Sequence, residues 1–264
     1  MKRGAKNFMA NTTQRVAHRG GSLLAPENTL AAFRNALTLA TDAIELDVQM
    51  SRDGQLIVFH DNTLERLTDG QGNILDGDFA YLRSLNAAAH FKGGWPVAQQ
   101  IPTLREVLEL ARGRKQVYIE IKTSKRDGVE GRYPNIAKAV VKEVQAHAMT
   151  KQIVVISFDW PMLLAVKSLE PLIQTGAIVS KEAWIPGGEQ ALEALLDHMK
   201  TFACSWISFD YKLFTADMPA IVHKRGLKLN LWTVNTLEDM RRFAEAQVDS
   251  VTSDRPDLFS QLQE

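Results

Sequence analysis

The sequence predicts an α/β fold of the closed (β/α)8, or TIM-barrel, type, with a small inserted cap after a β-hairpin strand. Three observations predict it. Apolar strand-like runs alternate with helix-length amphipathic runs, giving eight β-strands along a chain of 264 residues, a length typical of one such barrel. A ninth extended run, 56–60, follows Arg52-Asp53-Gly54, and an Asp-Gly turn between two extended runs predicts a hairpin. After that run the alternation lapses over 61–100 and then resumes. An open doubly wound sheet is the competing arrangement, but no Gly-x-Gly-x-x-Gly loop follows the first strand, which weakens its dinucleotide-binding form.

The first strand is expected at 15–19 and the first helix at 28–40, with Asn28 as N-cap and Leu30, Phe33 and Leu37 on one face. The second strand is 43–51, and the hairpin strand 56–60 should run antiparallel to it. Residues 61–100 are rich in Gly, Asp and Asn and end in Gly93-Gly94-Trp95-Pro96, so they form the inserted cap. Strands then fall at 117–123, 153–158, 175–180, 206–210, 228–234 and 250–253. Helices fall at 103–111, 134–148, 161–169, 188–200, 217–224 and 237–245, and a helix is expected after every barrel strand. The chain is read as one barrel domain over 1–264, with 1–14 a flexible leader lacking the apolar stretch of a signal peptide.

Lys plus Arg number 31 and Asp plus Glu 31, a balance that argues against general nucleic-acid binding. A single cysteine, Cys204, excludes an intrachain disulfide and fits a reducing compartment. No apolar run is long enough to span a bilayer, so the expectation is a cytoplasmic protein without an integral membrane segment.

Chemistry-bearing residues gather at the ends of the strand-like runs. Glu45 and Asp47 are two apart on a strand, so both face one side, towards the barrel interior, while Leu46 and Val48 face the helices. Two carboxylates in such a place repel unless a cation lies between them. Ile119-Glu120-Ile121-Lys122 repeats the pattern, with Glu120 and Lys122 on one face. Three carboxylates form an all-oxygen donor set that favours Mg²⁺, Ca²⁺ or Mn²⁺ over zinc. His18 and His60 both close strand-like runs. His18 is followed by Arg19, Gly20 and Gly21, and His60 by Asp61. A pair of histidines titrates near neutrality and suits acid–base work, and the arginine fork suits phosphate oxygens. The inventory fits a metal-assisted attack on a phosphodiester. His147, His198 and His223, in helical segments, are read as surface residues. Trp232 faces inward near the mouth and Phe158 ends its strand, so both are expected to wall the site, whereas Phe91 and Trp95 belong to the insertion.

With those segments in view, the chain resembles the glycerophosphodiester phosphodiesterase family, in its bacterial cytoplasmic form. The resemblance rests on His18-Arg19-Gly20 with Pro26-Glu27-Asn28-Thr29, Glu45-Leu46-Asp47-Val48, Ser51-Arg52-Asp53-Gly54, His60-Asp61, Glu120-Ile121-Lys122, Ser157-Phe158 and Trp232-Thr233-Val234-Asn235, in that order. It implies a TIM barrel with an inserted cap and one divalent cation, Mg²⁺, Ca²⁺ or Mn²⁺, on Glu45, Asp47 and Glu120. It implies His18 and His60 as the acid–base pair and Arg19 and Lys122 at the phosphate. The implied partner is a small glycerophosphodiester, cleaved to glycerol 3-phosphate and an alcohol, either through a cyclic phosphate or by direct attack of water. Two departures stand out: Thr123 where the family often has Pro, and Ser253-Asp254 where it often has Thr-Asp. Neither touches the implied ligands, and both are expected to bear on loop shape and on substrate choice. A lysophospholipase D or lyase-type activity fits the same scaffold. So does a non-catalytic barrel that binds a phosphoester.

Overall fold

In the computed structural model, residues 13–123 and 132–262 are described. The strands are β1 (Gln14–Ala17), β2 (Ala43–Met50), β3 (Leu56–Val58), β4 (Gln116–Ile121), β5 (Ile153–Ser157), β6 (Gln174–Val179), β7 (Trp206–Asp210), β8 (Lys228–Trp232) and β9 (Ser250–Ser253). The helices are α1 (Leu30–Ala36), α2 (Phe79–Ser84), α3 (Leu104–Ala111), α4 (Arg132–Ala146), α5 (Trp160–Leu169), α6 (Glu189–Lys200), α7 (Met218–Lys224) and α8 (Leu237–Glu245). Eight strands pair in parallel in the order β1-β9-β8-β7-β6-β5-β4-β2, and pairing of β1 with β2 closes the barrel. That closure rules out the open sheet. β3 lies outside the ring, antiparallel on β2, as the Asp-Gly turn predicts.

Every residue of β2 is buried: its outward face meets the helices, and its inward face meets the apolar barrel centre at Ala43 and the charged mouth at Glu45 and Asp47. Ile44, Leu46 and Val48 pack outward with the helices in the main core. Inside the barrel, Val16, Ala43, Tyr118, Val154, Ile156, Ile178 and Trp206 fill the centre, with Tyr118 and Trp206 edge-on at 5.8 Å between centroids. Asn230 donates to Ser208 Oγ (2.6 Å) and accepts from Thr252 Oγ1 (3.0 Å), so these three polar side chains of the interior are paired with one another. The interior is therefore packed shut, and ligand chemistry is confined to the mouth at the C-terminal strand ends.

Several boundaries differ from expectation. β1 stops at Ala17, and His18–Gly20 forms a 3-10 turn with Arg19 at φ 52°. The first helix spans only Leu30–Ala36. Thr29, not Asn28, caps it, accepting from the Ala32 N–H at 3.2 Å, because Asn28 takes φ 58° and turns its side chain to Asp47. The last strand is followed by a 3-10 segment, Pro256–Leu262, instead of an α-helix. Gln14 already belongs to β1, and Thr13 Oγ1 donates to Val248 O at 2.7 Å, so the expected leader is too long at its end; positions 1–12 lie outside the described residues. His147 is buried and bonds the Glu143 carbonyl at 2.8 Å, so it is not a surface residue. His198 and His223 are exposed.

The stretch between β3 and α3 carries a 3-10 turn (Ile74–Asp76), the short α2, and an apolar cluster separate from the main core. Leu64, Ile74, Leu75, Leu82 and Leu85 of that cluster pack on Ile57 and Phe59 beside the hairpin. Hairpin and insertion are thus one packing unit laid on the barrel's flank. α3 then starts on a capping box, Thr103 with Glu106.

The turn after β1 depends on glycine. Gly20 has φ 80°, and a Cβ there would lie 2.8 Å from the backbone and Cβ of Ala32. Gly20→Ala should cost about 2–4 kcal/mol in urea unfolding, the strain of a left-handed backbone added to a contact that backbone atoms cannot relieve. Wild-type stability in that variant would show that the turn is not held against α1.

Candidate active site

The site begins with three carboxylates at the end of two adjacent strands. Asp47 on β2 is in register with Glu120 on β4, and Glu45 stands one inward position below Asp47. One oxygen from each of Glu45, Asp47 and Glu120 lies within 4.8 Å of the others, and all three residues are buried. Oxygens bound to one hard cation are typically about 3–5 Å apart. Glu45 Oε1 and Asp47 Oδ1 are buried without a hydrogen-bond partner. A buried carboxylate oxygen left in that state is costly unless a cation satisfies it. These residues fit a divalent metal ion and could hold one. Burial first, and then the charges of Asp47 and Glu120, push the Glu45 carboxyl well above its ordinary range.

Two cations flank the cluster. Lys122 Nζ donates to Glu120 at 2.6 Å and lies 3.2 Å from Asp47 Oδ1. Arg19 Nε lies 3.2 Å from Asp47 Oδ2, its NH1 donates to Glu27 at 2.8 Å, and its backbone N–H donates to Glu45 at 2.8 Å. Burial works against charge on Asp47, but Lys122 and Arg19 outweigh it and hold its pKa well below the usual carboxylate range. The same carboxylates hold both cations charged in spite of their own burial. Asn28 completes the frame by donating to Asp47 at 2.8 Å.

Both histidines reach this mouth, each anchored by a carboxylate. His18 Nδ1 lies 2.6 Å from Asp254 Oδ1, and its Nε2 is left towards Glu45 at 3.9 Å. Asp254 also accepts from Ser22 (2.5 Å) and Asn235 (2.8 Å). Burial opposes those bonds, yet they bring its pKa down to about 2. An ionised Asp254 requires the proton on Nδ1, so it sets the ring's orientation. His60 Nδ1 meets Asp61 Oδ1 at 2.6 Å, and Arg66 from the insertion donates to the same carboxylate. His60, Lys122 and Phe158 line a cleft of about 460 Å³ together with Asn62, Thr63 and Thr123.

The expected residues Glu45, Asp47, Glu120, His18, His60, Arg19 and Lys122 therefore converge. Phe158, just past β5, is 46% exposed at the cleft and packs edge-on against Trp232 at 5.8 Å. Trp232 donates to Ser208 O at 3.1 Å from inside the barrel. Phe91 and Trp95 pack on each other, 5.5 Å apart, within the insertion. Asp254 is a correction: it was expected to bear on loop shape and substrate choice, and instead it anchors His18. Its position at the C-terminal end of a barrel strand was the available signal. Glu27 lay in a motif already singled out, whereas nothing in the sequence marked Arg66.

A packed parallel barrel whose mouth holds a metal-competent carboxylate triad, two cations and two oriented histidines defines a class: TIM-barrel enzymes of phosphoester chemistry. The profile of the glycerophosphoryl diester phosphodiesterase family matches residues 18–258, and the chain belongs to that family. It is 34% identical over 253 residues to a glycerophosphodiester phosphodiesterase of Caldanaerobacter subterraneus subsp. tengcongensis, covering 94% of this chain and 96% of the relative. It is 31% identical over 260 residues to one from Bacillus subtilis, covering 94% and 85%. Among solved structures, an Oleispira antarctica phosphodiesterase in complex with the product sn-glycerol-3-phosphate superposes with a TM-score of 0.82 at 27% identity, covering 95% and 96%. A glycerophosphodiester phosphodiesterase from Agrobacterium tumefaciens does so with 0.74 at 31%, covering 94% and 99%.

Crowding of the carboxylates has a measurable sign. Glu45 has a raised folded-state pKa, so the unfolded chain loses this proton first. Its contribution to the stability of cation-free protein is present below the ordinary carboxylate pKa and is lost as pH rises. With a chelator at pH 8, Glu45→Gln should therefore be more stable than wild type by on the order of 1 kcal/mol, the gap narrowing towards pH 5. Thermal melts at the two pH values test this. A wild type more stable than the variant at pH 8 would mean that Arg19 and Lys122 already balance the cluster.

Proposed function

We propose that the protein hydrolyses glycerophosphodiesters to glycerol 3-phosphate and an alcohol such as choline or ethanolamine, using one divalent cation, Mg²⁺, Ca²⁺ or Mn²⁺, on Glu45, Asp47 and Glu120. The observation that carries this is the charge balance of the mouth. Three carboxylates against Arg19 and Lys122 leave one negative charge, and one divalent cation turns it into one positive charge. A phosphodiester monoanion is its complement. The product named for the Oleispira antarctica relative is of the same class.

A cation bound there would polarise a phosphoryl oxygen and offset the charge that builds on phosphorus. Arg19 and Lys122 hold the remaining phosphoryl oxygens. His18, fixed by Asp254 with Nε2 turned inward, takes the proton of the nucleophile. His60 gives a proton to the departing alcohol, an assignment supported by its place in the cleft beside Phe158. The nucleophile is the neighbouring glycerol hydroxyl, forming a cyclic phosphate that water opens; direct attack by water uses the same two histidines. Asn62, Thr63 and Thr123 give the cleft a polar wall, which favours an unacylated glycerophosphodiester over the singly acylated substrate of lysophospholipase D chemistry. With Asn62 and Thr63 drawn from it, the insertion is read as a cap on one barrel domain. Trp232 stands behind Phe158 in the substrate wall.

Among the described residues no helix is long and apolar enough to cross a membrane. The single cysteine supports a cytoplasmic setting.

Chelation should abolish turnover and a divalent cation restore it, with Asp47→Ala inactive yet folded, as assayed on glycerophosphocholine with circular dichroism alongside. Full activity in chelator would remove the metal from the reaction. His18→Ala and His60→Ala should each lose about a hundredfold or more in kcat. A nitrophenyl leaving group, which needs no proton, should restore His60→Ala and not His18→Ala. Equal rescue of both would reject the roles assigned.

A further inference from the structure

Arg66 lies in the insertion and faces two carboxylates at once. Its Nε and NH2 donate to Asp61 at 2.5 and 2.8 Å, and its NH1 and NH2 donate to Glu27 at 3.1 and 2.9 Å. Asp61 is the residue that meets His60 Nδ1, and Glu27 accepts from Arg19. One guanidinium thus closes a chain from His60 through Asp61, Arg66 and Glu27 to Arg19. It ties the insertion to the segments that follow β3 and β1.

The two arms are unequal. Arg19 keeps anchors of its own, on Glu27, on Asp47 and through its backbone to Glu45. Among the described residues, Asp61 is the side chain that hydrogen-bonds the His60 ring, and Arg66 is the side chain that holds Asp61 from its other side. Asp61 follows directly after His60, in a segment outside the barrel ring. Apart from the His60 ring itself, Arg66 is the side chain among the described residues that hydrogen-bonds this carboxylate and so sets its direction. Each guanidinium nitrogen already donates to a carboxylate, and four of its five N–H groups are used in this way. The side chain is 49% exposed, so packing does not explain it, and an exposed ion pair adds little stability. A double fork fixes direction more than it adds energy.

We propose that Arg66 is a positioning residue for His60, so that the insertion supplies part of the catalytic geometry. The inference rests on the proposed hydrolysis with His60 as a proton-transfer group.

The test compares wild type, Arg66→Met, Arg66→Lys, His60→Ala and the double variant His60→Ala/Arg66→Met on glycerophosphocholine, with thermal melts of each. Arg66→Met should lower kcat about 10- to 100-fold, as loss of an outer partner does at comparable sites, with KM changed less than about threefold. Arg66→Lys, keeping the charge without the fork, should recover part of the loss, and it carries the test if the methionine variant fails to fold. In the His60→Ala background, Arg66→Met should cost less than about twofold more, because the two residues act as one unit. Unchanged kcat, a loss carried by KM, or the same fold-loss in both backgrounds would overturn the proposal. A wild type inactive on glycerophosphodiesters would instead remove the functional reading itself.

Discussion

Three carboxylates share a space too small and too dry for their charge, and the rest of the site is arranged around that fact. Glu45, Asp47 and Glu120 are buried, with oxygens inside 4.8 Å. Like charges at such a separation repel strongly where water is excluded. The protein answers with Lys122, Arg19 and Asn28, which stabilise Asp47 and Glu120 and leave Glu45 as the carboxylate most in need of a further cation. Glu45 Oε1, buried with no hydrogen-bond partner, is available to a metal, so the local destabilisation and the binding capacity have one origin.

The barrel makes that arrangement rigid. Residues in register on β2 and β4 bring Asp47 beside Glu120 without any loop intervening. The apolar and paired polar side chains below them fill the interior, so the charged layer cannot sink or rotate away. His18 is set by a residue from the far end of the chain, Asp254, because β9 closes against β1. His60 is set by its neighbour Asp61 and by the insertion. The two histidines thus depend on different parts of the molecule, one on barrel closure and one on the flank.

Much of this was legible in the sequence, for physical reasons. Strand alternation alone placed Glu45, Asp47, Glu120 and Lys122 on the inner face, since a period of two admits no other arrangement once Leu46, Val48 and Ile121 must meet the helices. The Asp-Gly turn gave the antiparallel β3. Helix ends were less legible: Asn28 and Thr29 are both good caps, and the choice fell to Thr29 because Asp47 holds the Asn28 amide. Partners distant in sequence were hidden. Asp254 and His18 are 236 positions apart, and only closure of the barrel brings them together. Arg66 sits in a stretch with no periodicity, so nothing local distinguished it from a solvated surface charge.

The most direct measurement is a crystal structure with Mn²⁺ and glycerol 3-phosphate, read through the anomalous signal of the metal. A single peak among Glu45, Asp47 and Glu120, with the phosphate beside Arg19 and Lys122, is the result that follows from the charge of this mouth. A phosphate held by Arg19 and Lys122 with no metal at the three carboxylates, or a metal bound elsewhere, would contradict it.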